Sequence, residues 1–426
     1  MDLNHRNSEK GQAIVYLVLG LVVFLGFVAL AIDGGMAMSN RRHGQNAADA
    51  STLAGAAAAG LEYKNYQGYT CKQQWSCNVV PSAFPQAYRK AIDRAEANGF
   101  TIKHHDESPN HNYVELSCGG STWYDGYIDV TVDITATSPS NFLQLVYPDA
   151  LKYSVQSVSR MQPGGPLMYG NAIVALNPAS CTGQLGVSFH GTGDINVQGG
   201  GIFSNGCVRA DGAAVVSVVP DPNDPTTIPN IKIDGNDLKY DPTKDALDPP
   251  PNDVTYQIPG YAYDVKPPVC PTDPSGWYTD NNLPNNLSGL YCISGDLTFK
   301  HGPYVGTDVT IYIPDGKLTI NGNEEVTLSA PAGNSHPDAA IPGILFYLPT
   351  TNHNPVKLNG TSQVTITGVV FAPGSAITLT GTDDVTSFSS TQFIGWDVEV
   401  GGTQQTNIVY NGCDGFIFPP SIELNK

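Results

Sequence analysis

The 426-residue sequence predicts a membrane-anchored α+β unit followed by an all-β domain, and three observations carry that reading. An uncharged apolar run, Ala13 to Ile32, stands near the N-terminus and leads into an alanine-rich stretch with helical period. A strictly alternating segment, Tyr127 to Ala136, marks a half-buried strand inside a mixed region. From residue 162 onward, short apolar-x-apolar-x-Gly segments recur, the pattern of a parallel β-helix. The alternative for this last part is an antiparallel β-sandwich, whose strands also recur every 8 to 12 residues or so. The expected organisation is a cytoplasmic head (1–12), a transmembrane and extended helix (13–61), a small α+β domain (62–161) and the β-helix-like domain (162–426).

Composition limits the partners. Charged residues make up 14% of the chain, and 39 acidic against 21 basic side chains leave a formal charge of −18. That balance argues against nucleic acid, which is bound by Lys and Arg displacing counterions from phosphates. It also opposes general attraction to anionic surfaces. Gly (45) and Pro (32) imply frequent turns, while 41% apolar residues suffice for a core.

The head MDLNHRNSEKGQ is polar, and the run after it holds no charge over 20 positions. As a helix this run is about 30 Å long, enough to cross a hydrocarbon core. Cleaved signal peptides have a shorter apolar core followed by small residues at a cleavage site; that arrangement is missing, so an uncleaved single-pass anchor is expected. Arg6 and Lys10 before the span balance Arg41 and Arg42 after it, so charge alone leaves the orientation open. The eight cysteines all lie beyond the span, which favours a C-terminal part outside the cytoplasm or at the cell surface. Beyond Asp33, residues Ala47, Ala50, Ala54, Ala57, Ala58 and Leu61 recur at helical steps. Such a small-residue stripe permits close approach of another helix or packs on the chain's own next domain; both remain open here. Gly34-Gly35 is a candidate kink.

The residues Gly11 and Gln12 before the span, Asp33 and Gly34 at its outer end, then Arg41, Gln45, Ala47, Ala48, Asp49 and Ala50, form a pattern of polar landmarks at set offsets. This N-terminal segment resembles that of TadG-like proteins of Tad (Flp) pilus assembly. The resemblance implies a membrane-anchored component of a pilus or secretion apparatus. Its partners would be other proteins of that apparatus, met through the N-terminal helix, and the ten landmark residues would serve helix packing or assembly. Two departures narrow it. Pilins carry a Glu five residues after their processing site, where cleavage after Gly11 would place Tyr16; an intramembrane carboxylate is costly and hence functional, so a processed, polymerising subunit is disfavoured. Many TadG-like proteins also hold a D-x-S-x-S metal site, and that motif is absent from this sequence.

In the middle region, Ala87, Tyr88, Ala91, Ile92 and Ala95 form a helical stripe ending at Gly99. Strands are expected at Tyr113 to Ser117, Tyr127 to Ala136 and Tyr153 to Ser159, with a short helix near Phe142 to Val146. A small α+β unit on a long helix resembles pilin architecture. The intervening His104, His105, Asp106 and His111 match no metal-ligand spacing and read as a polar loop.

Five segments overlay as apolar-x-apolar-x-Gly, at Ile195–Gly199, Leu318–Gly322, Val356–Gly360, Ile377–Gly381 and Val398–Gly402. Gly360, Gly381 and Gly402 stand 21 residues apart, twice running. Stacked turns of that length share a core that none could build alone. The stretch 219–268 is rich in Asp and Pro and reads as a surface excursion; Asp234, Asp237 and Asp241 lack the spacing of a calcium loop.

Catalytic constellations are sparse. A polysaccharide-active enzyme would use paired carboxylates, and Asp383-Asp384 is an adjacent acidic pair in the repeats. His190 in FHGTG stands without the acidic motif a polygalacturonase-type site needs. The expectation is a non-enzymatic protein without metal or cofactor. Cys181 with Cys207, and Cys270 with Cys292, each bracket a stretch of rung length and are the disulfide candidates. A surface adhesin or envelope scaffold binding a glycan or protein through the β domain is the alternative function.

Overall fold

The computed structural model describes residues 12–65, 84–120, 126–142, 150–178, 186–206, 208–213, 215–219, 231–234, 239–240, 265–300, 302–321, 324–332, 340–360, 364–381, 385–388, 390–403, 405–411, 415–418 and 420–425. The chain divides into two compact units. The first takes the N-terminal part through Gly164 together with the residues from Pro420 onward; the second takes Gly165–Pro419.

Helix α1 (Gln12–Asn65) dominates the first unit and runs unbroken through Gly34-Gly35. Helix α2 (Pro85–Ala97) starts with Pro at its first turn, where the missing N–H costs nothing. It buries Ala87, Ala91 and Ala95 and ends at Gly99, whose φ of 85° suits glycine. Four strands follow: β1 (Lys103–His104), β2 (Tyr113–Gly119), β3 (Tyr127–Ser138) and β4 (Leu151–Gln162). The sheet order is β1-β2-β3-β4, closed by the C-terminal strand Ser421–Asn425 against β4. Only the β1–β2 pair is parallel.

Alternation in β3 does what its sequence implies. Ile128, Val130, Val132 and Ile134 are fully buried with the alanines of α1 and α2, and the intervening residues point away. On that outer face Arg160 donates two hydrogen bonds to Asp129, each 2.8 Å, and its guanidinium lies 3.7 Å from the centre of the Tyr127 ring. The Phe142–Val146 helix expected from sequence falls outside the described residues except at Phe142.

The second unit is mostly β structure arranged in three columns of parallel ladders. The first column stacks Leu297–Phe299, Leu318–Ile320, Val356–Gly360, Ile377–Gly381, Val398–Gly402, Val187–Gly191 and Val208–Ala210. In the second column, Tyr304–Gly306 is followed by Val326–Leu328 and Val364–Ile366; Val385–Phe388, Gln405–Val409, Ile195–Gln198 and Val216–Val219 stack in the same way. The third runs through Ile311, Phe346, Val370, Phe393, Ile173 and Ile202. Inward residues build one core that includes the fully buried Phe189, Phe299, Phe346, Phe388 and Phe393.

Spatial order departs from chain order. The ladder ascends from Leu297 to Val398 and then continues with the earlier strands at Val187 and Val208. At this seam Asp397 accepts hydrogen bonds from Asn177 Nδ2 (2.9 Å) and the Gly186 amide (2.6 Å). Gln392 Nε2 donates to the carbonyls of Leu167 (2.8 Å) and Asn171 (2.6 Å).

The register also corrects one alignment drawn from sequence. Ile195–Gln198 pairs with Thr406–Val409 and Val216–Val219, so it belongs to the second column rather than the first. The true neighbours of Val398–Gly402 are Val187-Ser-Phe-His-Gly191 and then Val208-Arg-Ala-Asp-Gly212, which fit the same pattern. Glycines at 360, 381, 402 and 191 stand in direct register. A Cβ on Gly402 would overlap the Gly381 carbonyl oxygen, and one on Gly191 that of Gly402. This close backbone approach is why the motif ends in glycine.

Of the stretch 219–268, Ile231–Asp234 pairs antiparallel with Val215–Val218, and Lys239–Tyr240 with Val208–Arg209. Asp237 and Asp241 lie outside the described residues.

Candidate functional site

The sequence landmarks gather on α1. Its first part, from Ile14 to Ile32, is exposed along almost its whole length, with Leu17 at 68% and Phe27 at 68%. An apolar surface of that extent is unstable in water. The helix is long and apolar enough to cross a membrane by length and composition.

At Asp33 the environment changes. This side chain is buried at 2% exposure, and its two carboxylate oxygens accept the backbone amides of Asn141 and Phe142, each at 2.9 Å. A carboxylate clamping two amides of the β3–β4 connection is a charge-assisted arrangement. Asn141 Nδ2 also lies 3.2 Å from Met36 Sδ. Gly34 has no atom within 4 Å of where a Cβ would stand. Arg41 is exposed, while Asn40 Nδ2 donates to Ser138 Oγ at 2.8 Å.

One turn later, Gln45 Nε2 donates to Asp49 Oδ1 (2.8 Å) and to the Gln156 carbonyl (3.3 Å), tying the helix to β4. Ala47 and Ala48 are buried at 1% and 0%, and Ala50 is half-buried. Ala47, Ala48, Ala56 and Ala59 share one core with β3 and α2. Gly55 is boxed in, since a Cβ there would stand 2.9 Å from Val130 Cγ1 and 3.2 Å from the Ala87 carbonyl oxygen. The small-residue stripe therefore seats the chain's own domain at these positions. Leu53 and Leu61, on the opposite side, are exposed at 39% and 64%.

Two contacts went unnoticed in the sequence. Thr52 Oγ1 takes a hydrogen bond from Ser159 Oγ (2.8 Å) and lies 3.2 Å from Ser157 Oγ, a buried hydroxyl cluster between α1 and β4. Glu62 accepts the amides of Gln86 and Ala87, both at 2.9 Å, and so caps α2 from outside. Glu62 stands 23 residues before Pro85, so no local pattern in the sequence announced this cap. Gln12 opens α1, and Gly11 lies outside the described residues.

In the second unit a disulfide joins Cys270 and Cys292, with Cα atoms 6.0 Å apart. Cys181 and Cys207 lie outside the described residues, as do Asp383 and Asp384. Cys118 of the first unit is also disulfide-bonded. His190 Nδ1 stands 3.4 Å from Glu399 Oε1 across the seam. His104 stacks on Tyr88 (4.2 Å between ring centres) and His105 meets Tyr113 edge-on (4.7 Å). Among the described residues no group of His, Cys, Asp and Glu is placed to hold a metal.

The second unit also has two shallow cavities that meet at Thr350. One, of about 410 Å³, is lined by Thr350, His353, Pro373, Gly374 and Trp396; the other, about 620 Å³, includes Lys266, Tyr347 and Phe371. Trp396 is 39% exposed, and His353 Nδ1 lies 3.0 Å from the Gly374 carbonyl oxygen.

No curated protein and no solved structure matches this chain. Residues 11–58, a stretch that includes the apolar span, the Asp33 clamp and most of the buried alanines of α1, match the family model described as "Putative Flp pilus-assembly TadE/G-like", so this N-terminal segment is TadE/G-like.

Proposed function

We propose that this protein is a non-enzymatic, membrane-anchored component of Tad (Flp) pilus assembly that anchors or tips the pilus at the cell surface. The observation that carries the reading is the coincidence of the TadE/G-like match with an exposed apolar span whose outer end is built into a folded domain. In this reading α1 crosses the membrane once, both units lie outside the cytoplasm, and the disulfide of the second unit fits an oxidising compartment. We read its three columns of parallel strands as a β-helix, in which stacked turns share one core. The small α+β domain and the β-helix would act as separate modules, with other pilus or secretion-apparatus proteins meeting the N-terminal helix.

Deleting the gene and counting pili by electron microscopy tests the assignment. Loss or detachment of pili, restored by the full chain, is the expected result; normal, firmly attached pili on the deletion strain would refute it.

A second reading, a surface adhesin that binds a glycan, draws on Trp396. An exposed indole flanked by Thr350 and His353 in a shallow cavity offers a sugar ring a stacking face and polar contacts. Binding of the full chain to a glycan array, lost on Trp396→Ala with the pili intact, would favour this reading; silence across the array removes it.

A further inference from the structure

The clamp at Asp33 places part of the folded first unit at a defined height along α1. From Ala13 to Asn40 the one charged residue is Asp33. A helix rises about 1.5 Å per residue, so the run from Ala13 to Ile32 matches the roughly 30 Å hydrocarbon core and Asp33 stands at its boundary. Because the Asp33 carboxylate holds the amides of Asn141 and Phe142, these two residues share that height.

Phe142 is 43% exposed. Beyond the span it is the one exposed aromatic side chain among the described residues of the first unit. An isolated exposed Phe normally needs no explanation. This one is fixed by a buried carboxylate to the last residue of an apolar span, on a connection (Ser138 to Asn141) that carries no charge. Arg41 and Arg42 follow, both exposed, about 12 Å farther along the axis at 1.5 Å per residue, where their side chains can reach phosphates. Span, aromatic and arginine thus succeed one another in the order of a bilayer's core, boundary and headgroups.

We propose that Phe142, held by Asp33, inserts at the boundary between acyl chains and headgroups, and so fixes the tilt of the first unit against the membrane. The partner is the lipid surface itself, continuous with the lipid that surrounds the span. The proposal rests on reading Ala13–Ile32 as a membrane span and is independent of a role in pili.

The test uses the full chain in vesicles of phosphatidylcholine and phosphatidylglycerol. Single nitroxide labels are attached without reductant at Val22→Cys, Leu53→Cys and Phe142→Cys, leaving native disulfides closed. Collision with oxygen, which concentrates in lipid, is compared with collision by a water-soluble nickel chelate. The label at 22 should report lipid, the one at 53 water, and the one at 142 a ratio several-fold nearer to 22 than to 53. Adding Asp33→Ala, or the milder Asp33→Asn, should move position 142 toward the value at 53. Equal ratios at 142 and 53, with 22 still in lipid, would overturn the insertion of Phe142. Water at all three positions would overturn the span itself, and an unchanged ratio at 142 in both Asp33 variants would overturn the clamp.

Discussion

Two glycines on one helix should respond to the same substitution with opposite signs. Replacing Gly by Ala in a helix interior adds about 1 kcal/mol by restricting the unfolded backbone and favouring the helix. At Gly34 nothing lies within 4 Å of the new Cβ, so the whole gain should appear. That is roughly a fivefold drop in the local opening equilibrium. At Gly55 the Cβ meets Val130 Cγ1 at 2.9 Å, with the Ala87 carbonyl oxygen and Ala91 Cβ at 3.2 Å. Forcing a methyl into a packed core costs about 1 to 3 kcal/mol, which cancels or exceeds the gain. Gly55→Ala should therefore be neutral to about 2 kcal/mol destabilising, and Gly55→Val worse because the branch meets the same walls. Gly44 is intermediate, as its nearest neighbour is a ring carbon of Tyr153 at 2.8 Å, a side chain able to swing. Amide hydrogen exchange by mass spectrometry on the full chain in detergent, read over peptides covering residues 30–60, reports each position separately. Equal gains in protection for Gly34→Ala and Gly55→Ala would refute the packing of α1 against β3 and α2.

Three further outcomes follow from particular contacts. Glu62→Ala leaves the Gln86 and Ala87 amides without their acceptor, and should destabilise α2 by about 1 kcal/mol; exchange at residues 85–91 should rise while β3 stays unchanged. Opening the disulfide by Cys270→Ser with Cys292→Ser frees a loop of separation 22 and should remove about 3 kcal/mol on a chain-entropy estimate, read as a lower denaturant midpoint for the second unit. Burial first, and then the neighbouring Tyr312, push the Tyr347 phenol up to about 12 from its usual 10.0, while its hydroxyl donates to the Val265 carbonyl at 2.6 Å. The folded chain thus keeps this proton where the unfolded chain loses it. Its contribution is level below pH 10 and falls as pH rises from there toward 12. Tyr347→Phe should flatten that part of an alkaline unfolding curve, and absorbance near the tyrosinate band should show one late-ionising phenol fewer.

Much of the architecture could be read locally. The alternation in β3 and the alanine steps of α2 each declare a buried face, because a side chain's direction follows from strand or helix period; on α1 the expected stripe was only partly right, since Ala57 and Leu61 are exposed while Ala48, Ala56 and Ala59 are buried. The ladder register was legible where consecutive turns are consecutive in sequence, as at Gly360, Gly381 and Gly402. It failed at Gly191 and Gly212, which obey the same 21-residue spacing but sit above the last repeat rather than below the first. Nothing in a local pattern states that order. Long-range contacts were harder still. Asp33 was recognisable as a landmark, yet its acceptors' partners lie more than one hundred residues away. Trp396 gave no signal, since exposure of one side chain on a β surface depends on which neighbours are small, here Gly374 and Pro373.

The displaced stacking order sets a schedule. Strands at Val187 and Val208 are made early, but the ladder edge on which Val187–Gly191 leans, Val398–Gly402, emerges more than two hundred residues later. The first unit waits as well, because Ser421–Asn425 supplies the edge partner of β4. Contacts of such sequence separation close late. Both units therefore keep an open strand edge until Val398–Gly402 and Ser421–Asn425 have been made.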